Sequence, residues 1–176
     1  MRHLRTAILV FASVALCAVP AQSASSSPHP NVAALKRFLR AYAHYPGEED
    51  IKTIRFAYAP LPGTGLLLAY MQDQLYCGTG GCGILILKPQ GRSFRIFDVI
   101  GGCWPPFTML PQRHHGMPDI GIWIQGGSVL PGYQTSVSFN GKRYAYTQGF
   151  PPTHRIRRGA GRVLIREEIP KLRLYP

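Results

Sequence analysis

Acidic residues are scarce in this chain of 176 residues, where Asp and Glu together number 8 against 20 Lys and Arg. The aspartates stand mostly alone and the glutamates belong to short charged runs, as at Asp73, Asp98, Asp119, Glu48, Glu49, Glu167 and Glu168. Sugar cleavage needs two carboxylates placed on either side of the scissile bond. The sequence therefore argues against a carboxylate-dependent glycosidase.

Long apolar runs are also rare, and the clearest is Ala7–Val19 near the start of the chain. It follows the basic residues Arg2 and Arg5 and precedes the small residues of PAQSASSS, an order typical of a secretory signal peptide. An apolar run of this length is short for a membrane span. We therefore expect a signal peptide over 1–24, an exported protein that is periplasmic or extracellular, and no transmembrane segment once the leader is removed.

Cysteine is infrequent as well, with 4 in the chain, of which Cys17 lies in the predicted leader. The bulky Leu16 before it disfavours lipid attachment at Cys17 without deciding the matter, and the cleavage site stays open too. Three cysteines remain for the exported chain, where thiols oxidise: Cys77, Cys82 and Cys103. Three pairings are possible, and the sequence alone leaves the connectivity open.

The segment YCGTGGC contains Cys77 and Cys82. Its residue types are compatible with a phosphate-binding loop, a metal site or a turn closed by a disulfide. A strand-like run, Gly83–Lys88, follows it, whereas phosphate loops and redox-active cysteine pairs are followed by a helix. Zinc ligands usually come as two closely spaced pairs. We therefore favour a Cys77–Cys82 disulfide that closes a turn, with no metal and no cofactor, and Cys103 as a small apolar residue beside Trp104.

A different interpretation makes Cys103 a nucleophile, with His114 or His115 as its base and Asp119 as the group that orients the imidazole. These residue types form thiol-hydrolase sets. Cys103 precedes a proline pair instead of opening a helix, and both histidines lie in a polar loop, so we disfavour this interpretation. A non-enzymatic protein is the expectation that the sequence supports better.

The chain after the leader has the length of one domain, 31–176, which a short polar tether at 25–30 precedes. Apolar residues recur at helical spacing after Asn31, which is a suitable helix-capping residue. This pattern predicts one amphipathic helix over 31–45.

Beyond the helix, the apolar residues alternate with a period of two throughout 51–147. Gly83–Lys88 is apolar on both faces, which indicates an interior strand, and Tyr133–Phe139 alternates, which indicates one buried and one solvent-facing side. Turn residues near Gly91 and at Asn140-Gly141 predict hairpins. The fold is therefore expected to be mainly β (α+β), an antiparallel sheet of several short strands with the helix packed on it.

The remaining segment, 150–176, is rich in arginine and adds to a formal net charge of +12 for the chain. The candidate anion-binding residues here are Arg155, Arg157, Arg158 and Arg162. Nucleic acid is not an expected partner for an exported protein. We therefore expect the partner to be an anionic component of the cell envelope or another protein.

Three motifs stand out in the middle of the mature chain. They are a Cys-Gly-x-Gly-Gly-Cys turn at Cys77–Cys82, a Gly-x-x-Asp-Ile strand at Gly116–Ile120 and a Phe-Asn-Gly-x-x-Tyr hairpin at Phe139–Tyr144. Together they resemble a group of small exported bacterial proteins of unassigned function. The resemblance implies export and a stapled β fold, and it implies no reaction.

The function that these observations predict is a binding or interaction module for an anionic or protein partner. The alternative is a periplasmic inhibitor of lysozyme or of another hydrolase, because small inhibitors of this kind share the size, export and disulfide-stapled β character. A thiol-dependent hydrolase built on Cys103 with His114 or His115 is the second alternative.

Overall fold

The computed structural model describes residues 30–43, 53–72, 77–126, 131–144, 154–166 and 170–176. The predicted signal peptide at 1–24 lies outside the described residues, and so does the predicted tether apart from Pro30. No helix in the described ranges is long and apolar enough to cross a bilayer.

The described residues contain one α-helix, α1, which runs from Val32 to Ala43. Asn31 caps it, because its side-chain Oδ1 accepts a hydrogen bond from the Ala34 N–H at 3.1 Å and its carbonyl accepts one from the Leu35 N–H at 2.9 Å. The side-chain bond satisfies one of the N–H groups that the first turn of a helix leaves without an intrahelical partner. The helix predicted over 31–45 is present with these bounds, and residues 44 and 45 lie outside the described ranges.

Nine strands form an antiparallel sheet in the described part of the chain: β1 Arg55–Leu61, β2 Leu66–Gln72, β3 Cys82–Gln90, β4 Ser93–His114, β5 Met117–Ile124, β6 Tyr133–Val137, β7 Arg155–Ile156, β8 Arg162–Ile165 and β9 Leu172–Arg173. Their order is β7-β6-β5-β4-β3-β2-β1-β9, and β8 pairs with β4 away from this path. The prediction of a mainly β fold with an antiparallel sheet and one helix is confirmed.

The turn at Asn140-Gly141 differs from the predicted two-residue hairpin. Phe139 and Tyr144 pair across it only as an isolated bridge, and the Asn140 N–H donates to the Arg143 carbonyl at 2.9 Å. The Asn140 side-chain oxygen accepts hydrogen bonds from the backbone N–H groups of Lys142 and Arg143. This side chain therefore stabilises a longer turn than the Asn-Gly pair alone predicts.

The longest strand, β4, joins the two parts of the sheet. Its first half pairs with β3 and its second half with β5, and the register is irregular between Trp104 and Thr108. The short strand β8 pairs with the other edge of the second half, opposite Phe107 and Met109. The second half of β4 therefore has a hydrogen-bonded neighbour on each side.

Buried side chains form two clusters, one on each face of strands β1 to β3. Along β2, Leu68 and Tyr70 belong to the larger cluster and Leu67 belongs to the smaller one, as the alternation of side chains in a strand requires. The smaller cluster also contains Leu35 and Leu39 of α1. The four residues after Gly83 in β3 are buried as well, which confirms the predicted interior strand.

Two buried tyrosines predict how stability depends on alkaline pH. Burial raises the pKa of Tyr70 and of Tyr144 well above the ordinary value of 10.0, because the charged phenolate would lose its hydration. Above about pH 10 the unfolded chain releases these protons while the folded chain keeps them. The unfolded state then binds fewer protons, so we expect the free energy of unfolding to fall as the pH rises above about 10.

Urea unfolding measured from neutral to strongly alkaline pH checks this expectation. Replacing Tyr70 by Phe removes one of these buried groups with a raised pKa, which also include Cys103, and should reduce the alkaline loss of stability. The Tyr70 hydroxyl has no hydrogen-bond partner among the described residues, so this variant leaves no buried polar group behind. A free energy of unfolding that stays constant through the tyrosine range would contradict the expectation.

Candidate functional site

The four arginines predicted to bind an anion lie in one stretch, residues 155–162, which we call the arginine loop. It begins in the edge strand β7, turns at Arg158-Gly159 and ends in β8. Arg155, Arg157, Arg158 and Arg162 are all exposed. The stretch therefore carries its positive charge on the surface of the sheet.

Two of these arginines rest on aromatic rings. The guanidinium carbon of Arg155 lies 4.5 Å from the centroid of the Tyr133 ring, and that of Arg158 lies 4.9 Å from the Trp123 ring. Cation–π contacts of this kind attract the guanidinium group to the ring face. They also restrict the side chain before any ligand arrives, so that less conformational entropy is lost on binding.

The two aromatic rings lie on opposite faces of the β5–β6 pair. Tyr133 is directly opposite Ile124, which is the chain neighbour of Trp123, and neighbouring residues in a strand point to opposite faces. Arg155 and Arg158 therefore lie on opposite faces of the sheet. Positive charge is present on both faces instead of forming one flat patch.

A buried amide holds the backbone of the arginine loop. Gln134 is 1% exposed, and its side chain accepts a hydrogen bond from the Gly159 N–H at 2.6 Å and donates one to the Thr108 hydroxyl at 3.3 Å. Gly121 leaves space for this amide, since a Cβ there would collide with the Thr108 hydroxyl. The sequence alternation predicts a solvent-facing Gln134, and this is wrong because the arginine loop crosses over it.

We expect replacement of Gln134 by Ala to release the arginine loop. The change leaves the Thr108 hydroxyl and the Gly159 N–H without their protein partner, which should cost about 1–3 kcal/mol of unfolding free energy. Amide hydrogen exchange at Gly159 should become faster. Ser136→Ala, two residues along the same strand, is the matched control and should change neither the free energy of unfolding nor the exchange rate at Gly159. If the Gly159 amide exchanged no faster in Gln134→Ala, Gln134 would not anchor the loop.

The described part of the chain has two acidic side chains, and both are engaged in internal contacts. Asp98 accepts hydrogen bonds from the backbone N–H groups of Val99 and Tyr144. Asp119 accepts one from the Ser138 hydroxyl at 2.8 Å. Both carboxylates are therefore engaged within the protein, and the exposed charged side chains of the described residues are basic.

A second polar cluster, at the end of the β4–β5 hairpin, contains His114, Asp119 and Ser138. Nδ1 of His114 lies 2.7 Å from Oδ1 of Asp119, and 53% of the His114 side chain is exposed while Asp119 is almost fully buried. A histidine held by a carboxylate has the arrangement of an oriented general base. The same contacts tie the hairpin to the residue that follows β6. Sequence reasoning identified His114 and Asp119 and missed Ser138, whose only signal is its place in an alternating strand.

The thiol-hydrolase alternative needs Cys103 beside this imidazole, and the structure does not bring them together. Cys103 lies near the middle of β4, opposite Cys82 of β3, whereas His114 is the last residue of β4 and lies opposite Met117. The Cys103 thiol donates to the Cys82 carbonyl at 3.5 Å, and burial raises its pKa above the ordinary value. His115 occupies the hairpin turn with a φ of 49°. A buried, neutral thiol is a poor nucleophile.

The cysteines of the YCGTGGC segment form the favoured disulfide, Cys77–Cys82. Gly81 has a φ of 100°, and a Cβ on it would collide with the Cys103 carbonyl and the Trp104 indole, so this turn requires glycine for its conformation and for space. No group of three or more potential metal ligands occurs in the described ranges. The turn that leads into β3 is therefore closed by a disulfide and closely packed, which is typical of a structural turn.

Comparison of the chain with protein-family models, with curated proteins and with solved structures gives no match. Among the sites described, the arginine loop combines exposed charge with a buried support.

Proposed function

We propose that this protein is an exported, non-enzymatic binding module whose arginine loop binds a phosphate-bearing component of the cell envelope. The observation that carries the proposal is the support beneath the loop. Tyr133 and Trp123 hold the side chains of Arg155 and Arg158, and the buried Gln134 amide holds the backbone. A run of arginines that served only solubility would need no such support.

The chemistry of the side chains favours phosphate as the ligand group. A guanidinium group is planar, stays charged at every physiological pH and can donate two parallel hydrogen bonds to one phosphate. The 20 basic side chains of the whole chain exceed the 8 acidic ones, so the long-range field also attracts anions. Export is supported by the leader-like residues 1–24 and by the disulfide, which persists in oxidising compartments.

A phosphodiester can come from a lipid headgroup or from a phosphate-containing polymer, and both would meet the same arginines. Because Arg155 and Arg158 lie on opposite faces of the sheet, phosphates can be contacted on both sides at once. Binding through several weak contacts of this kind gives a useful affinity without a deep pocket.

The test is retention of the purified protein on phosphatidylglycerol vesicles, on neutral phosphatidylcholine vesicles and on immobilised poly(glycerol phosphate). We expect binding to one or both anionic surfaces and none to the neutral vesicles. Preference for the vesicles would identify a lipid, and preference for the polymer would identify a wall or capsule phosphodiester. Equal retention on the neutral vesicles, or retention on none of the three, would contradict the proposal.

A further inference from the structure

A cleft of about 580 Å³ opens where the first turn of α1 meets the β1–β2 and β3–β4 turns. Its floor is apolar, with Leu61, Leu66 and Phe94 among the lining residues, and Pro60 and Pro89 stand at its rim. This volume lies within the range of pockets that bind small ligands, which is about 300–1,000 Å³. The cleft is therefore large enough for a small organic molecule.

The described lining residues of this cleft include two cations and no anion. Arg37 of α1 and Arg92 of the β3–β4 turn both contribute to the lining, and both are exposed. No Asp or Glu occurs among its described lining residues. An apolar floor with arginines beside it complements a molecule that has an apolar body and an anionic head.

The walls of the cleft are held in place by contacts within the protein. The Thr64 hydroxyl donates to the Leu61 carbonyl at 2.7 Å and accepts from the Leu66 N–H at 3.1 Å, which fixes the β1–β2 turn. On the other side, the Phe38 ring of α1 meets the Phe94 ring of β4 edge to face, with centroids 6.1 Å apart. A preformed cleft requires little reorganisation before it binds a ligand.

We propose that this cleft binds a small amphiphile with an anionic head, a carboxylate or a phosphate, on an alkyl or aromatic body. The body lies on the apolar floor, and the head pairs with Arg37 and Arg92. None of the residues lining the cleft belongs to the arginine loop, so this proposal and the proposed function rest on separate observations. The protein would then bind a small molecule in this cleft in addition to the phosphate-bearing partner of the arginine loop.

Titration calorimetry with monomeric probes tests the proposal directly. Dodecanoate and dodecyl phosphate, both below their micelle concentrations, supply a chain and an anionic head. Dodecyl maltoside supplies the same chain with an uncharged head, and inorganic phosphate supplies the anionic head without a chain. We expect the two anionic amphiphiles to bind at least about tenfold more tightly than either partial probe, since each partial probe loses one set of contacts. Equal binding of dodecyl maltoside would overturn the assignment of the anionic head.

Matched variants locate the site. Arg37→Gln and Arg92→Gln should each weaken binding of dodecyl phosphate by about tenfold, because each removes one charge-assisted contact. Arg95→Gln removes the same charge from the β3–β4 hairpin outside the cleft and should leave the affinity within about twofold. Ser93→Trp keeps the charge but fills the cleft, and should abolish binding. All four residues are exposed, so the variants should fold, and unchanged thermal unfolding confirms it.

Vesicles distinguish a free amphiphile from a lipid in a bilayer. If dodecyl phosphate binds and the Arg37 and Arg92 variants weaken it, the ligand is a free amphiphile. If only phosphatidylglycerol vesicles bind, and the same two variants weaken that binding in a protein whose arginine loop is intact, the ligand is a membrane lipid. If the variants at Arg37, Arg92 and Ser93 changed none of the measured affinities, the cleft would not be the binding site. The proposal for the arginine loop would be unaffected by that result.

Discussion

Neutralising the arginine loop is expected to lower the affinity for anionic vesicles by about a thousandfold. Each basic residue near an anionic membrane surface contributes about 1 kcal/mol, and four such contributions correspond to about three powers of ten in affinity. The variant carries glutamine at Arg155, Arg157, Arg158 and Arg162. Co-sedimentation with phosphatidylglycerol vesicles over a range of lipid concentrations measures the change.

The matched control removes four other exposed positive charges. It carries glutamine at Lys88, Arg95, Lys142 and Arg143, all of which are exposed and lie outside the arginine loop. Because the control has the same net charge as the loop variant, it retains the same long-range attraction and should lose less than about tenfold in affinity. Equal losses in the two variants would show that overall charge decides the binding, which would contradict a site at the arginine loop.

Replacing Phe107 by Ala is expected to destabilise the fold by about 3–5 kcal/mol, the range for a large aromatic residue truncated in a core. Phe107 is fully buried, and its ring meets that of Tyr70 edge to face with centroids 5.0 Å apart. It also lies opposite Ile165 of β8, in the half of β4 that has neighbours on both sides. The protein should therefore have little room to collapse around the cavity.

Urea unfolding gives the loss of free energy directly, and Phe97→Ala is the comparison. Phe97 is only half-buried and stacks on Phe139 with ring centroids 5.8 Å apart, so its truncation should cost clearly less. If Phe107→Ala lowered the free energy of unfolding no more than Phe97→Ala does, Phe107 would not lie at the centre of the hydrophobic core.

Local features of this fold could be predicted from the sequence because each depends on neighbouring residues. Asn31 caps a helix that starts beside it, the apolar residues of β3 predict an interior strand, and Cys77 and Cys82 are close enough in sequence to pair. Each of these features depends on residues that are only a few positions apart. A short segment of the sequence therefore contains the whole pattern that predicts it.

Features that depend on distant pairing could not be predicted in this way. Strand β4 continues past Pro105 and Pro106, although proline usually argues against a central strand. The two prolines lie between Trp104 and Thr108, where the register with β5 is irregular. Gln134 is buried because a segment about 25 residues later crosses it, a separation that the sequence pattern does not encode. The same reason explains why Ser138, Trp123 and Tyr133 were missed as parts of the polar cluster and of the support for the arginine loop.

The salt dependence of binding tests the central claim most directly. We expect the affinity of the unmodified protein for phosphatidylglycerol vesicles to fall by more than tenfold as NaCl rises from about 0.05 M to about 0.5 M, because exposed ion pairs are screened over that range. The variant without the four loop arginines should show a clearly shallower dependence. An affinity that ignores salt, or an equal salt dependence in the two proteins, would contradict binding of an anionic envelope component by the arginine loop.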